Sequence, residues 1–286
     1  MFDEGSFLNF YHLIRWKHKT GSRPMLHVLL AYAVAGHWAV WPMALNAIAT
    51  LGVFMFIAAF DDYWDYRTGT VNNFLTKQID RDHFNPNQAL FWVCAPLALT
   101  VPLFVAAHLI GVAGGIISLA LGAAIALIVF YAVPPLRWKE RFAGSFVAPA
   151  LVSIVFLESV SVVAPVGLFV VLLSALLFLF QWYAEMLHVI DIGLQGQPKR
   201  GLSLPVALKM LRGLPVLSCL VSASMAFVNP IFLVTTCGAL TRWLAVRRLP
   251  VEVVPQARRN LLNPVWSLWE FAVYALVSLW GGGRVI

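Results

Sequence analysis

Residues 51–67 read Leu51-Gly52-Val53-Phe54-Met55-Phe56-Ile57-Ala58-Ala59-Phe60-Asp61-Asp62-Tyr63-Trp64-Asp65-Tyr66-Arg67. Leu51 to Phe60 contains no charged residue, and then three carboxylates fall within five positions. Ionisable groups at the end of such a helix are costly at membrane depth, and they usually face a water-filled cavity and serve function. Asp61 and Asp65 stand at i, i+4 and share a helix face, with Asp62 beside them. A lone aspartate here reads as a solvated helix end. Three together repel one another unless a cation sits among them, and hard oxygen ligands at this density suit Mg²⁺.

The rest of the composition agrees with a membrane setting. The 286 residues are 60% hydrophobic and 12% charged, with a mean hydropathy of +0.81. Soluble domains carry about 25% charged residues. The chain therefore reads as an all-α polytopic membrane protein, a single membrane domain over 1–286. Its first residues, with Asp3, Glu4 and Ser6, do not have the form of a cleavable signal. Cys94, Cys219 and Cys237 all lie in apolar segments and read as small buried hydrophobes, not as a disulfide frame or a metal site.

Apolar runs of about 17–25 residues mark spans. Nine are expected: Pro24–Trp41, Leu45–Tyr66, Gln88–Leu109, Val112–Val133, Gly144–Val163, Val166–Ile190, Leu204–Val228, Pro230–Val246 and Pro264–Trp280. Charge sets their direction. Of the 20 Lys and Arg residues, all but Arg284 fall in the loops on one face or in the span ends beside them. The positive-inside rule makes that face cytoplasmic, with the N-terminus inside and the C-terminus outside, and points to a bacterial inner membrane. Topology thus accounts for the net charge of +7 without nucleic acid as a partner. The longest loop, 67–87, is polar and adjoins the aspartates, as active-site lids do. Phe7–Trp16 is aromatic with a basic end and is expected to lie along the interface as an anchoring amphipathic helix.

Three of the spans running toward the cytoplasm end in polar groups. Span 2 ends in the aspartates. Span 4 ends in Tyr131, Pro134, Pro135, Arg137 and Lys139, and span 6 in Glu185, His188 and Asp191, followed by Lys199 and Arg200. Acids can hold a metal and bases can hold phosphate oxygens. Together they describe a Mg²⁺–diphosphate pocket opening into an apolar bundle. Glu158, by contrast, is expected to be solvated near the far side.

These segments resemble the UbiA superfamily of intramembrane prenyltransferases, with the chlorophyll synthase and menaquinone-type branches nearest. The first family motif, NDxxDxxxD, corresponds to Asp61-Asp62-Tyr63-Trp64-Asp65-Tyr66-Arg67-Thr68-Gly69, with Asp61 where Asn is usual and Gly69 as in the menaquinone branch. Phe84-Asn85-Pro86-Asn87-Gln88-Ala89-Leu90 is similar to the segment leading into span 3, and Lys77 stands where the family often has a basic residue. Tyr131-Ala132-Val133-Pro134-Pro135-Leu136-Arg137-Trp138-Lys139 is similar to the YSxPPxKLK segment of chlorophyll synthases. The second motif, DxxxDxxxG followed by SLPV, is matched in part, by Asp191 and by Ser203-Leu204-Pro205-Val206; Gln195 and Gly196 stand where its second Asp belongs.

The resemblance implies a Mg²⁺-dependent transfer of an isoprenoid from a prenyl diphosphate to an aromatic or other lipophilic acceptor. Asp61, Asp62, Asp65 and Asp191 are the implied metal ligands, with Asp62, Asp65 and Asp191 catalytic and the loop 191–203 carrying the second motif. Lys77, Tyr131, Arg137, Lys139 and Lys199 are the implied substrate contacts. Tyr63, Trp64, Tyr131, Trp182 and Tyr183 are candidates to shelter an allylic cation. The missing second Asp would leave part of the metal to Glu185, His188 or water. It also keeps open a UbiA-type terpene cyclase, which needs no acceptor. A transporter or lipid-binding protein is the alternative outside the family, and the acids' place at helix ends, away from the midplane, argues against it.

Overall fold

The computed structural model describes residues 4–69, 74–81, 83–110, 117–195 and 201–257. These form α1 (Glu4–Ala35), α2 (Val40–Arg67), α3 (Phe74–Ile79), α4 (Ala89–Leu109), α5 (Ile117–Ala132), α6 (Val147–Val163), α7 (Leu168–Leu194), α8 (Leu204–Ala226), α9 (Phe232–Val246) and α10 (Val254–Ala257), joined in places by 3₁₀ turns. No strand occurs among the described residues. Five helical segments are long and apolar enough to cross a bilayer: Val40–Arg67, Pro86–Leu109, Phe142–Val163, Leu168–Leu194 and Leu204–Ala226. Pro24–Ala35, Ala123–Ala132 and Phe232–Val246 are shorter apolar helices. The chain is an integral membrane protein. Many large apolar side chains are exposed, including Trp41, Leu109, Leu168 and Phe227; that pattern suits a surface solvated by lipid tails and is costly in water.

Spans 2 to 8 of the hydropathy reading each overlap one helix, span 4 from Ile117 onward among the described residues. Span 1 does not stand alone. Phe7–Trp16, expected as a separate interfacial helix, is the first part of α1, which runs unbroken from Glu4 past Pro24 to Ala35. At about 1.5 Å per residue, its 32 residues are longer than a bilayer core requires. The polar stretch that separates the two in sequence is helical as well. Pro264–Trp280 lies outside the described residues.

The described chain divides into two units. The first comprises Met1–Leu29, Trp38–Arg137 and Ser161–Val163. Within it α2 is the central element, packed on α4, α5 and α3. Gly52 is the contact point with α4: a Cβ there would overlap the Thr100 methyl group, so only glycine lets the two backbones come so close. Pro96 and Pro102 lie inside α4 without ending it, as lipid-buried helices tolerate when neighbours supply the packing.

The second unit comprises Leu30–His37, Trp138–Val160 and Ala164–Ile286. Here α7 packs on α8, and α8 packs on α9. Small polar side chains join these helices. Ser153 of α6 donates to the carbonyl of Ser174 on α7 at 3.1 Å. Thr236 of α9 donates to Ser222 Oγ of α8 at 3.0 Å. Such bonds between apolar helices contribute roughly 0.6 kcal/mol each in a bilayer. Arg212 donates to the carbonyls of Val246 and Leu249, at 3.3 and 3.0 Å, and closes the C-terminal end of α9. Glu158, expected to be solvated, is buried instead at 5% exposure and accepts from Ser159 Oγ at 3.4 Å. An acid within a span is tolerated when it is hydrogen-bonded and turned inward.

Candidate metal and diphosphate site

The last turns of α2 carry Asp61, Asp62 and Asp65, all half-buried. One carboxylate oxygen from each lies within 4.8 Å of the others. At an effective dielectric near 20, each such pair of charges repels by about 3.5 kcal/mol or more. A divalent cation held by these residues would offset that repulsion. The helix stops just beyond. Thr68 Oγ1 donates to the carbonyl of Trp64 at 2.8 Å, and Gly69, at φ +73, takes the left-handed turn and donates its N–H to the Tyr66 carbonyl at 3.1 Å. This termination is the kind for which glycine is preferred. It fixes Asp65 one turn before the end.

Arg137 meets this cluster from the segment after α5. Its Nη2 donates to Asp65 Oδ1 at 3.2 Å, with side-chain exposures of 20% for Arg137 and 18% for Asp65. Arg137 has a backbone φ of 38, in the left-handed region that costs a residue with a Cβ roughly 1–2 kcal/mol. Its N–H donates to the Val133 carbonyl at 3.1 Å, and a cis peptide joins Pro134 to Pro135 just before it. A strained backbone that delivers a cation to an acid cluster is a common feature of working sites. The spacing of the sequence did not foretell it.

The aromatic residues of α2 form a ladder. Phe56 and Phe60 have ring centroids 5.2 Å apart, and Phe60 and Trp64 6.3 Å. Tyr63 packs edge-on to Trp64 at 5.9 Å. The indole Nε1 of Trp64 is buried with no hydrogen-bond partner among the described residues. Tyr131 is half-buried near the end of α5.

The lid-like loop 67–87 contains an ordered helix. Lys77 is exposed on α3, while Leu75 and Gln78 of the same helix are buried. Phe84 is buried, and the N–H of Asn85 donates to Asn9 Oδ1 at 3.0 Å. Asn85 Oδ1 in turn caps the 3₁₀ turn Pro86–Gln88 by accepting from the N–H of Asn87 at 2.9 Å. The Asn-Pro-Asn sequence is thus a helix-start device. His12 and His83 stack with centroids 4.8 Å apart; nothing in their separate positions in the chain signals that pairing.

The second unit holds the other predicted residues. Lys139 is half-buried in the 3₁₀ turn Trp138–Glu140. On α7, Glu185 is buried, and His188 and Asp191 are half-buried. The helix ends at Leu194, and the N–H of Gln195 donates to the Ile192 carbonyl at 3.0 Å. Gln195 is exposed at that end. Ser203-Leu204-Pro205 forms the start of α8, with Ser203 at the N-cap and Pro205 in the first turn, positions that both residue types favour. Lys199 lies outside the described residues. Tyr183, a candidate cation shelter, is buried, and the guanidinium of Arg242 on α9 lies 5.7 Å from its ring centroid and 4.5 Å from that of Phe180. Trp182, another candidate, packs on Phe146 at 4.4 Å.

No protein-family model matches the chain, and no curated protein is similar enough to match. Solved structures do match. A structure of digeranylgeranylglyceryl phosphate synthase superposes with a TM-score of 0.71 at 16% identity, covering 98% of this chain and 99% of the other. A UbiA homologue from Archaeoglobus fulgidus bound to DMAPP and Mg²⁺ superposes at 0.65 with 16% identity, covering 94% and 99%. The same homologue bound to GPP and Mg²⁺ gives 0.61 at 15% identity, covering 91% and 99%.

Proposed function

We propose that this chain, which has the fold of those UbiA homologues, is an intramembrane prenyltransferase that moves an isoprenoid from a prenyl diphosphate to a lipophilic acceptor. The observation that carries the proposal is the trio Asp61, Asp62 and Asp65, whose oxygens lie within 4.8 Å of one another on a bilayer-length helix. The neighbours' prenyl diphosphates and Mg²⁺ supply the substrate class. The three carboxylates fit a hard divalent ion by donor type and spacing. Asp191, on the second motif, is proposed to join them.

When bound, Mg²⁺ neutralises the diphosphate and so favours its departure. Asp62, Asp65 and Asp191 are the acids on which activity is expected to depend. Arg137 holds the Asp65 carboxylate through its Nη2 and is proposed to bind phosphate oxygens as well. Lys77, Lys139 and Lys199 are proposed to bind the same diphosphate, with Tyr131 against the first isoprenoid unit. Tyr63, Trp64 and the apolar helix walls exclude water, so that the acceptor captures the allylic carbon. In this reading the chain is one membrane domain of nine spans, with a cytoplasmic N-terminus and an outside C-terminus. Its site faces the cytoplasm of a bacterial inner membrane. The loop 67–87 is proposed to cover the site, and the segment 191–203, whose first residues are the last turn of α7, to complete it.

Gln195, at the place of the second acid of the second motif, favours a second reading: cyclisation of the prenyl chain with no acceptor. The experiment is diphosphate release by purified protein given DMAPP or GPP, with and without Mg²⁺ and an aromatic acceptor. Release that requires Mg²⁺, stops with chelator and falls at least 100-fold in Asp65→Asn is expected, the scale on which losing one stabilising group acts. Metal-dependent formation of a hydrocarbon or terpene alcohol without acceptor moves the assignment to a cyclase. No metal-dependent release with either substrate overturns both.

A further inference from the structure

An apolar groove of about 380 Å³ lies between the first turns of α1 and one face of α4. Phe7 and Phe10 form one wall; Phe91, Ala95, Ala98 and Leu99 form the other. Phe7, Phe91 and Leu99 are 70, 61 and 59% exposed, so the groove opens outward. Phe10 closes part of it by packing on Trp92, centroids 6.0 Å apart. From Phe91 to Leu99 it follows α4 for about 12 Å at 1.5 Å per residue, which lies within the ~15 Å hydrocarbon depth of one leaflet.

A second pocket of about 410 Å³ adjoins the same two segments at Gly5, Asn9, Asn85 and Gln88. Its amides are oriented by bonds inside the protein. Asn9, 5% exposed, accepts the Asn85 N–H through Oδ1 at 3.0 Å. Gln88 accepts the Trp92 indole N–H through Oε1 at 3.3 Å. The NH₂ groups of Asn9 and Gln88 are what remain for a ligand, and NH₂ groups only donate. Among the described residues neither pocket is lined by a carboxylate, so neither offers a described acid ligand to a metal–diphosphate head. The sequence supplies a net positive charge along this segment: Asp3 and Glu4 precede the pocket, Arg15, Lys17, Lys19 and Arg23 follow on α1, and no acid occurs between Glu4 and Asp61. Basic helical stretches at a membrane surface attract anionic lipids.

We propose that the groove holds one acyl chain of an anionic phospholipid, with its phosphate at the amide pocket, on the helix whose later turns carry the basic residues. Because Asn9 also holds Asn85, the lipid braces the segment that runs from α3 into α4. Native mass spectrometry of the full-length protein, titrated with phosphatidylglycerol or phosphatidylcholine of identical chains, tests it. One phosphatidylglycerol retained per chain, at least tenfold over phosphatidylcholine, is expected. Ala98→Trp, which fills the groove, removes that retention, and Gln88→Leu narrows the preference several-fold. Equal retention of the two lipids, or unchanged retention in Ala98→Trp, overturns the proposal. Should Ala98→Trp not fold, phosphatidylglycerol with a photoreactive acyl chain decides on the unaltered protein. Labels within 5–12 and 89–99 support the site, and labels only elsewhere overturn it. Displacement of the lipid by GPP without Mg²⁺ would assign the groove to the isoprenoid and equally overturn it.

Discussion

Arg137 joins two constraints that pull in different directions. Its guanidinium serves the Asp65 carboxylate at 3.2 Å, while its backbone at φ 38 is costly for any residue with a Cβ. The two can be separated by substitution. Arg137→Ala and Arg137→Gly both lose the charge, yet only alanine keeps the Cβ. The glycine variant is therefore expected to be the more stable by about 1 kcal/mol, or roughly 2–4 °C in thermal midpoint for a chain of this size. Both variants are expected to lose prenyl diphosphate affinity about 10- to 100-fold, in line with a charge-assisted bond worth roughly 1.5–3 kcal/mol. Equal midpoints would show that the backbone relaxes without strain. At this scale the sequence was only partly legible. Three acids after an apolar run announce themselves because charge near a bilayer is expensive. The left-handed Arg137 and the placing of Arg242 against Phe180 and Tyr183 do not, because both depend on which helices come together.

Among the elements, α2 carries the most. It presents the acids at one end and packs on α4 along its middle, where Gly52 meets Thr100. Gly52→Ala is expected to destabilise the protein by about 1–3 kcal/mol, the usual cost of overpacking. Thr100→Ser removes the obstructing methyl group and keeps a hydroxyl for the Leu97 carbonyl, which Thr100 now reaches at 3.2 Å. The double variant is expected to recover most of the loss. Unfolding midpoints of the four proteins in one detergent measure the coupling directly, and additive losses would mean that the two residues do not compete for space. Helix positions were legible from hydropathy because a bilayer fixes both apolarity and length. The continuity of α1 was not: a polar stretch between two apolar ones looks like a loop in sequence, yet its backbone bonds are satisfied as well in a helix.

For the whole molecule, the apolar helices and their order place the chain among UbiA folds at about 16% identity to a solved neighbour. Lipid imposes the same demands on very different sequences, so fold outlasts sequence similarity. Chemistry does not follow from fold alone; it rests on whether Asp61, Asp62 and Asp65 act with Asp191. Mn²⁺ binding, read by electron paramagnetic resonance on purified protein with and without a non-cleavable prenyl thiodiphosphate, tests that most directly. Tight Mn²⁺ binding that the analogue strengthens, lost at least tenfold in Asp61→Asn/Asp65→Asn and separately in Asp191→Asn, is the expected result. Mn²⁺ affinity unchanged in both variants, in folded protein, would contradict the account.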